Sequence, residues 1–185
     1  MKIIGLSGSI RSESLNTKLL RYLRELIPND VEYEVIDTLG DVPFYNEDME
    51  AEVPEAVVRL RHSVVSASGL FIATPEHNHS FSAPLKNAID WLSRPPGKGG
   101  IARKPVAILG AAPGHFGTMR AQIQLRQVLH ATNSIVVARP EVFIADASSK
   151  FDGKGRLLDA VGNQLVQELV DNLIAEIRKL EELVA

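Results

Sequence analysis

The sequence MKIIGLSGSIRSESLN, residues 1–16, decides the fold, because a strand, a turn and a helix start follow one another in it. Residues 2–6 are almost all apolar and too few for a helix, which is typical of a buried strand. A Ser/Gly-rich turn at residues 7–9 follows, and a helical pattern begins near Asn16. This order predicts the first unit of an α/β sheet.

The loop of this unit, residues 7–16, carries groups suited to an anion. Backbone N–H groups in the first turn of a helix have no intrahelical partner and carry partial positive charge. Ser9 and Ser14 add hydroxyls, Arg11 adds a guanidinium and Asn16 adds an amide. We therefore predict a phosphate site here. The alternative is that Ser14 only caps the helix while Arg11 extends into solvent.

The composition limits the classes of function. The 185 residues carry a formal net charge of −3 and include no cysteine. A slightly acidic chain gives no electrostatic reason to expect nucleic acid as a partner, and a chain without cysteine has neither disulfides nor thiolate catalysis. No apolar run approaches membrane-spanning length, and the N-terminus lacks the layout of a signal peptide. We expect one domain, residues 1–185, in the cytoplasm with no membrane partner.

Strand and helix patterns alternate along the rest of the chain. The predicted strands are residues 2–6, 31–36, 69–73, 105–110 and 135–138, with 141–144 as a candidate extension of the last. The predicted helices are residues 16–27, 53–66, 85–92, 116–130 and 157–185. Five alternations predict an α/β fold, with a doubly wound parallel sheet and right-handed crossovers.

Ligands of such sheets bind outside the carboxyl ends of the strands, where the strand order reverses. The loops expected at that edge are residues 7–16, TPEHNHS at residues 74–80 and GAAPGH at residues 110–115. The first loop contains neither GxxxxGK[ST] nor GxGxxG, which disfavours a P-loop or a dinucleotide fold. These three loops are therefore predicted to form a site of another kind.

Two other kinds of site could in principle use residues of these loops. His77 and His79 with Glu76 could begin a metal site, but the sequence shows no further cluster of ligands. A triad of Ser9, His77 and Asp90 can be written down, but no GxSxG elbow accompanies it. We therefore predict neither a metal site nor a hydrolytic triad.

Several segments resemble the NAD(P)H-dependent FMN reductases. GSIRSESLN at residues 8–16 resembles the G-S-x-R-x-x-S-x-N phosphate loop of that family, and TPEHNHS at residues 74–80 resembles its T-P-E-Y-N-x-S flavin loop. LKNAIDWLSRP at residues 85–95 is similar to the segment that follows. KPVAILGAAPGHFG at residues 104–117 and LRQVL at residues 125–129 fall where the fourth strand and the dimer helix of the family would lie.

The resemblance implies a flavodoxin-like fold, with a five-stranded parallel sheet of order 2-1-3-4-5 and helices on both faces. It implies non-covalent FMN, bound at the interface of a homodimer that can assemble into a homotetramer. The implied phosphate contacts are Ser9, Arg11, Ser14, Asn16 and Thr17. The implied isoalloxazine contacts are Pro75, Glu76, His77, Asn78 and His79, with backbone donors near Ala112 and Gly114.

This chain departs from the family pattern at two places in the expected site. Ala111 and Ala112 stand where members often have serines, so only backbone donors are expected there. His77 stands where the family usually has tyrosine, and its imidazole is smaller and changes protonation near neutral pH. We expect altered flavin affinity and altered pH dependence from the second change.

The implied activity is an FMN-dependent NAD(P)H oxidoreductase working by a ping-pong cycle. Hydride passes from NAD(P)H to N5 of FMN and then to a quinone, azo dye, chromate or free flavin. No residue is assigned as a catalytic acid or base, because the chemistry belongs to the cofactor. The alternatives are a flavodoxin-like electron carrier without NAD(P)H turnover and a phosphate-binding enzyme without flavin.

Overall fold

The structure is a computed structural model that describes residues 1–184, with side chains described for residues 1–183. Ala185, the last residue of the predicted fifth helix, lies outside the described residues. In the described part the strands are β1 Lys2–Ser7, β2 Glu32–Ile36, β3 Gly69–Ala73, β4 Pro105–Ala111, β5 Ile135–Val136 and β6 Val142–Ile144. The α-helices are α1 Leu15–Tyr22, α2 Glu55–Ser66, α3 Ala83–Leu92, α4 Met119–Ala131 and α5 Ala160–Val184.

All strand pairings are parallel, and the sheet runs β2-β1-β3-β4-β5, which confirms the predicted order 2-1-3-4-5. The fifth position is divided between two short strands. β5 pairs with the start of β4, where Pro105 is opposite Ile135, and β6 pairs with its end, where Ala111 is opposite Ile144. Pro140 lies between them and has no N–H to donate, so the strand is interrupted there.

Helices cover both faces of the sheet, as predicted. The central strands β3 and β4 are buried along their whole length, and alternate side chains of a strand point to opposite faces, so both faces need cover. Leu20 of α1 and Leu173 of α5 belong to the core on one face. Leu60 of α2, Ile89 of α3 and Leu125 of α4 belong to the core on the other.

Three helix boundaries differ by three or more residues from those predicted. The first predicted helix is too long, because α1 ends at Tyr22 and a 3₁₀ turn, Leu23–Glu25, follows it. The fourth is predicted to begin too early, because Gly117 has a left-handed φ of +57° that an α-helix does not contain. The fifth also begins later than predicted, since Leu157 pairs with Phe151 in a short antiparallel bridge.

The loop between β2 and α2 is held against α3. Asn87 accepts a hydrogen bond from the Tyr45 backbone N–H at 2.7 Å and donates to the Pro43 carbonyl at 2.9 Å. Trp91 of α3 is fully buried and donates from its indole N–H to the same carbonyl at 2.8 Å. Phe44 lies between these anchored residues and is 81% exposed. The loop therefore presents an aromatic side chain from a fixed backbone.

Gly110 allows a close approach that supports the carboxyl edge of the sheet. A Cβ at this position would lie 2.1 Å from Oγ1 of Thr118 and 2.7 Å from the carbonyl oxygen of Thr74. Thr118 Oγ1 in turn accepts a hydrogen bond from the buried Gln122 amide at 2.9 Å. Glycine is therefore needed here to bring β4, the loop after β3 and the start of α4 together.

We expect Gly110→Ala to lower the free energy of unfolding by about 1–3 kcal/mol, because the added methyl group overpacks this junction. Urea unfolding followed by far-UV circular dichroism measures the change. Gly114→Ala is the matched control, since a Cβ at Gly114 would meet no atom within 4 Å. Equal effects of the two substitutions would show that the packing around Gly110 is not the cause.

Candidate functional site

A cleft of about 390 Å³ lies at the carboxyl edge of the sheet, between the loops that follow β1, β3 and β4. It lies where the chain order reverses between β1 and β3, which is the expected ligand position in this fold. The predicted site residues that line it are Ser9, Arg11, Ser14, Asn16, Pro75, Glu76, His77 and Ala112. The predicted residues that do not line it are Thr17, Asn78, His79 and Gly114.

Ser14 caps α1 and leaves its hydroxyl hydrogen available to the cleft. Its Oγ accepts a hydrogen bond from the Thr17 backbone N–H at 3.1 Å, which satisfies one of the unpaired donors of the first helical turn. Ser14 is nearly fully buried and lines the cleft. A hydroxyl has one donor besides its acceptor lone pairs, so the same side chain can cap the helix and donate to an anion.

Arg11 is exposed at the mouth of the cleft. Its Nη2 donates to the carbonyl of Glu13 at 2.6 Å, so the guanidinium lies over its own loop. Arginine has five N–H donors, and this bond uses one of them. The remaining donors can reach an anion in the cleft without a change of protonation state.

Asn16 joins the first loop to the end of β4. Its Nδ2 donates to the Ala111 carbonyl at 3.0 Å, and its Oδ1 accepts from the Ala111 N–H at 2.9 Å. Thr17 is also buried, and its Oγ1 lies 2.8 Å from Oγ of Ser7. Both side chains therefore hold the loop in place through hydrogen bonds inside the protein.

We expect Asn16→Ala to lower the free energy of unfolding of the apoprotein by about 2–3 kcal/mol, because both backbone groups of Ala111 would lose a buried partner. Thermal or urea unfolding without cofactor measures this. Asn172→Ala, which removes one exposed hydrogen bond to the Arg139 carbonyl, is the control and should change stability far less. Normal apoprotein stability combined with weak FMN binding would instead indicate direct contact between Asn16 and the cofactor.

The loop after β3 contains a tight two-residue turn. Asn78 and His79 have left-handed φ values of 50° and 65°, as in a type I′ turn. The backbone N–H of His77 donates to the Ser80 carbonyl at 2.8 Å, and the N–H of Ser80 donates to the His77 carbonyl at 2.9 Å. Because the turn directs Asn78 and His79 away, His77 lines the cleft while those two do not.

Glu76 connects this loop to α4. Its Oε2 accepts from the backbone N–H groups of Arg120 at 3.1 Å and Ala121 at 3.3 Å, while its Oε1 pairs with the Arg120 guanidinium. These N–H groups belong to the second and third residues of α4, which a capping side chain normally satisfies. Thr118 occupies the cap position, but its side chain forms no capping bond in the described structure. Glu76 therefore caps α4 from another loop.

Three further contacts tie the turn to α4. Arg120 Nη1 lies 2.8 Å from Nε2 of His79, and Gln124 donates to the His79 carbonyl at 2.9 Å. Ser80 Oγ donates to Oε1 of Gln124 at 2.6 Å. Arg120 is therefore paired with Glu76 of the loop after β3. Arg126 is the arginine near Glu141, with Nε and Oε1 3.8 Å apart.

The loop after β4 offers backbone donors near Gly114. The N–H of Ala112 donates to the Ile144 carbonyl at 3.0 Å, so it is not available to a ligand. The N–H groups of Gly114 and His115 have no acceptor among the residues that the structure describes. His115 Nδ1 lies 2.9 Å from Oδ1 of Asp146, which connects the tip of this loop to the segment after β6.

The structure separates the members of the triad considered from the sequence. Ser9 and His77 both line the cleft, but Asp90 binds Lys86 on α3 at 2.7 Å.

Within residues 1–184, no group of three or more histidine or acidic side chains is arranged to hold a metal ion. No helix in the same range is long and apolar enough to cross a membrane.

A parallel sheet of this order, with a hydroxyl-rich loop after β1 and a cleft at the carboxyl edge of the sheet, is that of a flavodoxin-like fold. The family model described as NADPH-dependent FMN reductase matches residues 1–149. The chain therefore belongs to the NADPH-dependent FMN reductase family and is an FMN-dependent NAD(P)H oxidoreductase.

Individual relatives support this assignment. An NAD(P)H-dependent FMN reductase of Pseudomonas aeruginosa is 44% identical over 181 residues, which cover 97% of each chain. A 2-hydroxy-1,4-benzoquinone reductase of a Burkholderia species is 34% identical over 178 residues, covering 96% of this chain and 97% of the relative. The solved structure of FerB, a flavoenzyme NAD(P)H:(acceptor) oxidoreductase of Paracoccus denitrificans, aligns with a TM-score of 0.88 and 32% identity, covering 96% and 97% of the two chains. The predicted family, fold and cofactor are confirmed.

Proposed function

We propose that FMN lies along the cleft, with its phosphate at the first loop and its ring beside Pro75 and His77. The observation that carries this placement is one continuous cleft that joins the first loop to the turn after β3. The available donors suit a phosphate, since Ser9, Arg11 and Ser14 of the first loop all line the cleft. The residues present therefore fit the cofactor of the family.

We further propose that the predicted contacts divide into two groups by role. Ser9, Arg11 and Ser14 bind the phosphate directly, while Asn16 and Thr17 hold the loop that presents these donors. Glu76 holds the ring loop through α4, and the backbone N–H groups of Gly114 and His115, which have no acceptor among the described residues, are candidate donors to the polar edge of the ring. Such donors stabilise negative charge on a reduced flavin.

The proposed reaction transfers hydride from NAD(P)H to an acceptor in two successive half-reactions at one cleft. Bound FMN supplies the hydride and electron-transfer chemistry, and the protein supplies binding, orientation and electrostatics. The acceptor is a small molecule, and we propose a quinone as its class, with azo dyes, chromate and free flavin as further candidates. The quinone-reductase names of several relatives favour this choice.

We propose that the chain acts as a homodimer or homotetramer in the cytoplasm, where NAD(P)H is available. Residues 1–185 would then form a single FMN-binding domain. Exposed apolar side chains at Phe116, Met119 and Ile123 lie on or just before α4, close in sequence to the site. Apolar groups clustered in this way favour a protein interface. Analytical ultracentrifugation at several protein concentrations tests the assembly.

Anaerobic spectrophotometry tests the proposed activity. Apoprotein mixed with FMN should become yellow, NADPH or NADH should bleach it, and a quinone should restore the colour. A protein that binds FMN but is bleached by neither nicotinamide would be an electron carrier. A protein that takes up no FMN would be neither an FMN-dependent oxidoreductase nor a flavin-containing electron carrier.

A further inference from the structure

Three ionisable side chains line the cleft, namely Arg11, Glu76 and His77. Arginine does not release its proton in proteins. Glu76 is occupied by two backbone N–H groups and the Arg120 guanidinium. The ring nitrogens of His77 form no hydrogen bond with any residue that the structure describes, and the side chain is exposed. Among these three, His77 alone is suited to exchange a proton with a ligand and with solvent.

The backbone of His77 is held while its ring stays accessible. Two hydrogen bonds to Ser80 close the turn, and Ser80 and His79 are bound to Gln124 of α4. The Arg120 contact to His79 adds a further attachment to the same helix. An imidazole on a fixed backbone at the wall of a cleft meets the positional requirement for proton transfer to a bound molecule.

We propose that His77 is the proton donor to a quinone acceptor in the second half-reaction. This inference rests on the proposed quinone reduction. The reduced cofactor would supply a hydride, so that its N–H bond breaks as an O–H bond forms at one quinone oxygen. The carbonyl electrons then shift through the ring to the opposite oxygen, which becomes a phenolate anion. The N–H bond of the His77 imidazolium breaks, a second O–H bond forms at that oxygen, and the neutral imidazole takes a new proton from water.

Several charged groups lie on the elements around His77, and most of them are paired with one another. They are Glu76 with Arg120, His115 with Asp146, Lys86 with Asp90, His79 on Arg120, and Arg11 and Glu13 on the first loop. Arg11 adds positive charge that stays constant across neutral pH. His79 and His115 are the other imidazoles on the loops around the cleft, so variants must distinguish their contribution from that of His77.

The test compares two acceptors in single-turnover reoxidation of the reduced holoenzyme. Benzoquinone needs protons, whereas ferricyanide accepts electrons without them. We expect His77→Gln to lower the ratio of the benzoquinone rate to the ferricyanide rate at least tenfold, since a positioned general acid commonly contributes more than that. His62→Gln, which removes an exposed imidazole from α2, should leave the ratio unchanged.

The pH profile gives a second measurement. The benzoquinone rate of the wild-type protein should fall as pH rises, because the proton-carrying form of the donor is lost. This step should be absent in His77→Gln and retained in His79→Gln. In the apoprotein, NMR titration of the histidine rings should place the pH midpoint of His77 at the same step.

Each outcome decides the proposal. Equal losses with both acceptors would mean that His77 only orients the flavin, and a pH step that persists in His77→Gln would assign it to another group. Either result overturns the inference but leaves the proposed function intact, because the wild-type protein still reduces quinone. A wild-type protein that NADPH bleaches and benzoquinone fails to reoxidise would overturn both.

Discussion

Glu76→Ala should destabilise the protein by about 2–4 kcal/mol, because it removes a nearly buried carboxylate and leaves two helix N–H groups and a guanidinium without their partner. For a domain of this length, that loss corresponds to a fall in Tm of about 5–15 °C. The turn after β3 should also lose its attachment to α4, so FMN binding should weaken. Differential scanning calorimetry and FMN fluorescence titration measure the two effects.

Glu76→Gln is the matched control, since it keeps the size of the side chain and one oxygen that can accept the helix N–H bonds. We expect it to recover roughly half of the lost stability while losing the charge pairing with Arg120. If Glu76→Gln is as unstable as Glu76→Ala, the ion pair carries the effect and the helix cap contributes little. Wild-type stability in Glu76→Ala would show that α4 does not depend on Glu76.

Arg11→Ala should weaken FMN binding about ten- to over a hundredfold, because a hydrogen bond to a charged group contributes about 1.5–3 kcal/mol. Fluorescence titration of the apoprotein with FMN measures the dissociation constant. Stability of the apoprotein should change little, since Arg11 is exposed and its side chain donates only to the Glu13 carbonyl of its own loop.

Riboflavin is the control ligand for this prediction, because it has the same ring but no phosphate. Its affinity should be almost unaffected by Arg11→Ala. Ser14→Ala provides a comparison within the same loop, since it removes both a hydroxyl donor and the cap of α1 and should therefore lower stability as well as FMN affinity. Equal weakening of FMN and riboflavin in Arg11→Ala would contradict a phosphate contact.

The element order and the three cleft loops were predictable from the sequence, because strands and helices differ in length and periodicity. A short, wholly apolar run such as residues 69–73 is typical of a buried strand, and this run forms β3. The division of the last strand into β5 and β6 was harder to predict, although Pro140 indicated that the hydrogen-bond ladder would be interrupted. Helix ends depended on single backbone conformations, such as the left-handed φ of Gly117, which sequence patterns do not fix.

The roles of individual cleft residues were harder to predict than their presence. Asn16 and Glu76 occur in motifs that suggest cofactor contact, yet their side chains are engaged by Ala111 and α4. Both partners are distant in sequence, so no local pattern shows these bonds. The contacts of Arg120 and Gln124 with the loop after β3 were not predicted, for the same reason. The spacing of four residues, which places both on one face of α4, was the available indication for Gln124.

The interrupted last strand also affects how molecules meet one another in solution. A long, flat sheet edge can pair with the edge of another molecule and start aggregation. Here one edge is formed by the two-residue β5 and the three-residue β6, and Pro140 between them has no N–H to donate to a ladder. The opposite edge, β2, carries exposed Glu32 and Glu34 bound to Lys2. Both edges are thus protected against strand-to-strand association, which leaves helical surfaces for any ordered assembly of the chain.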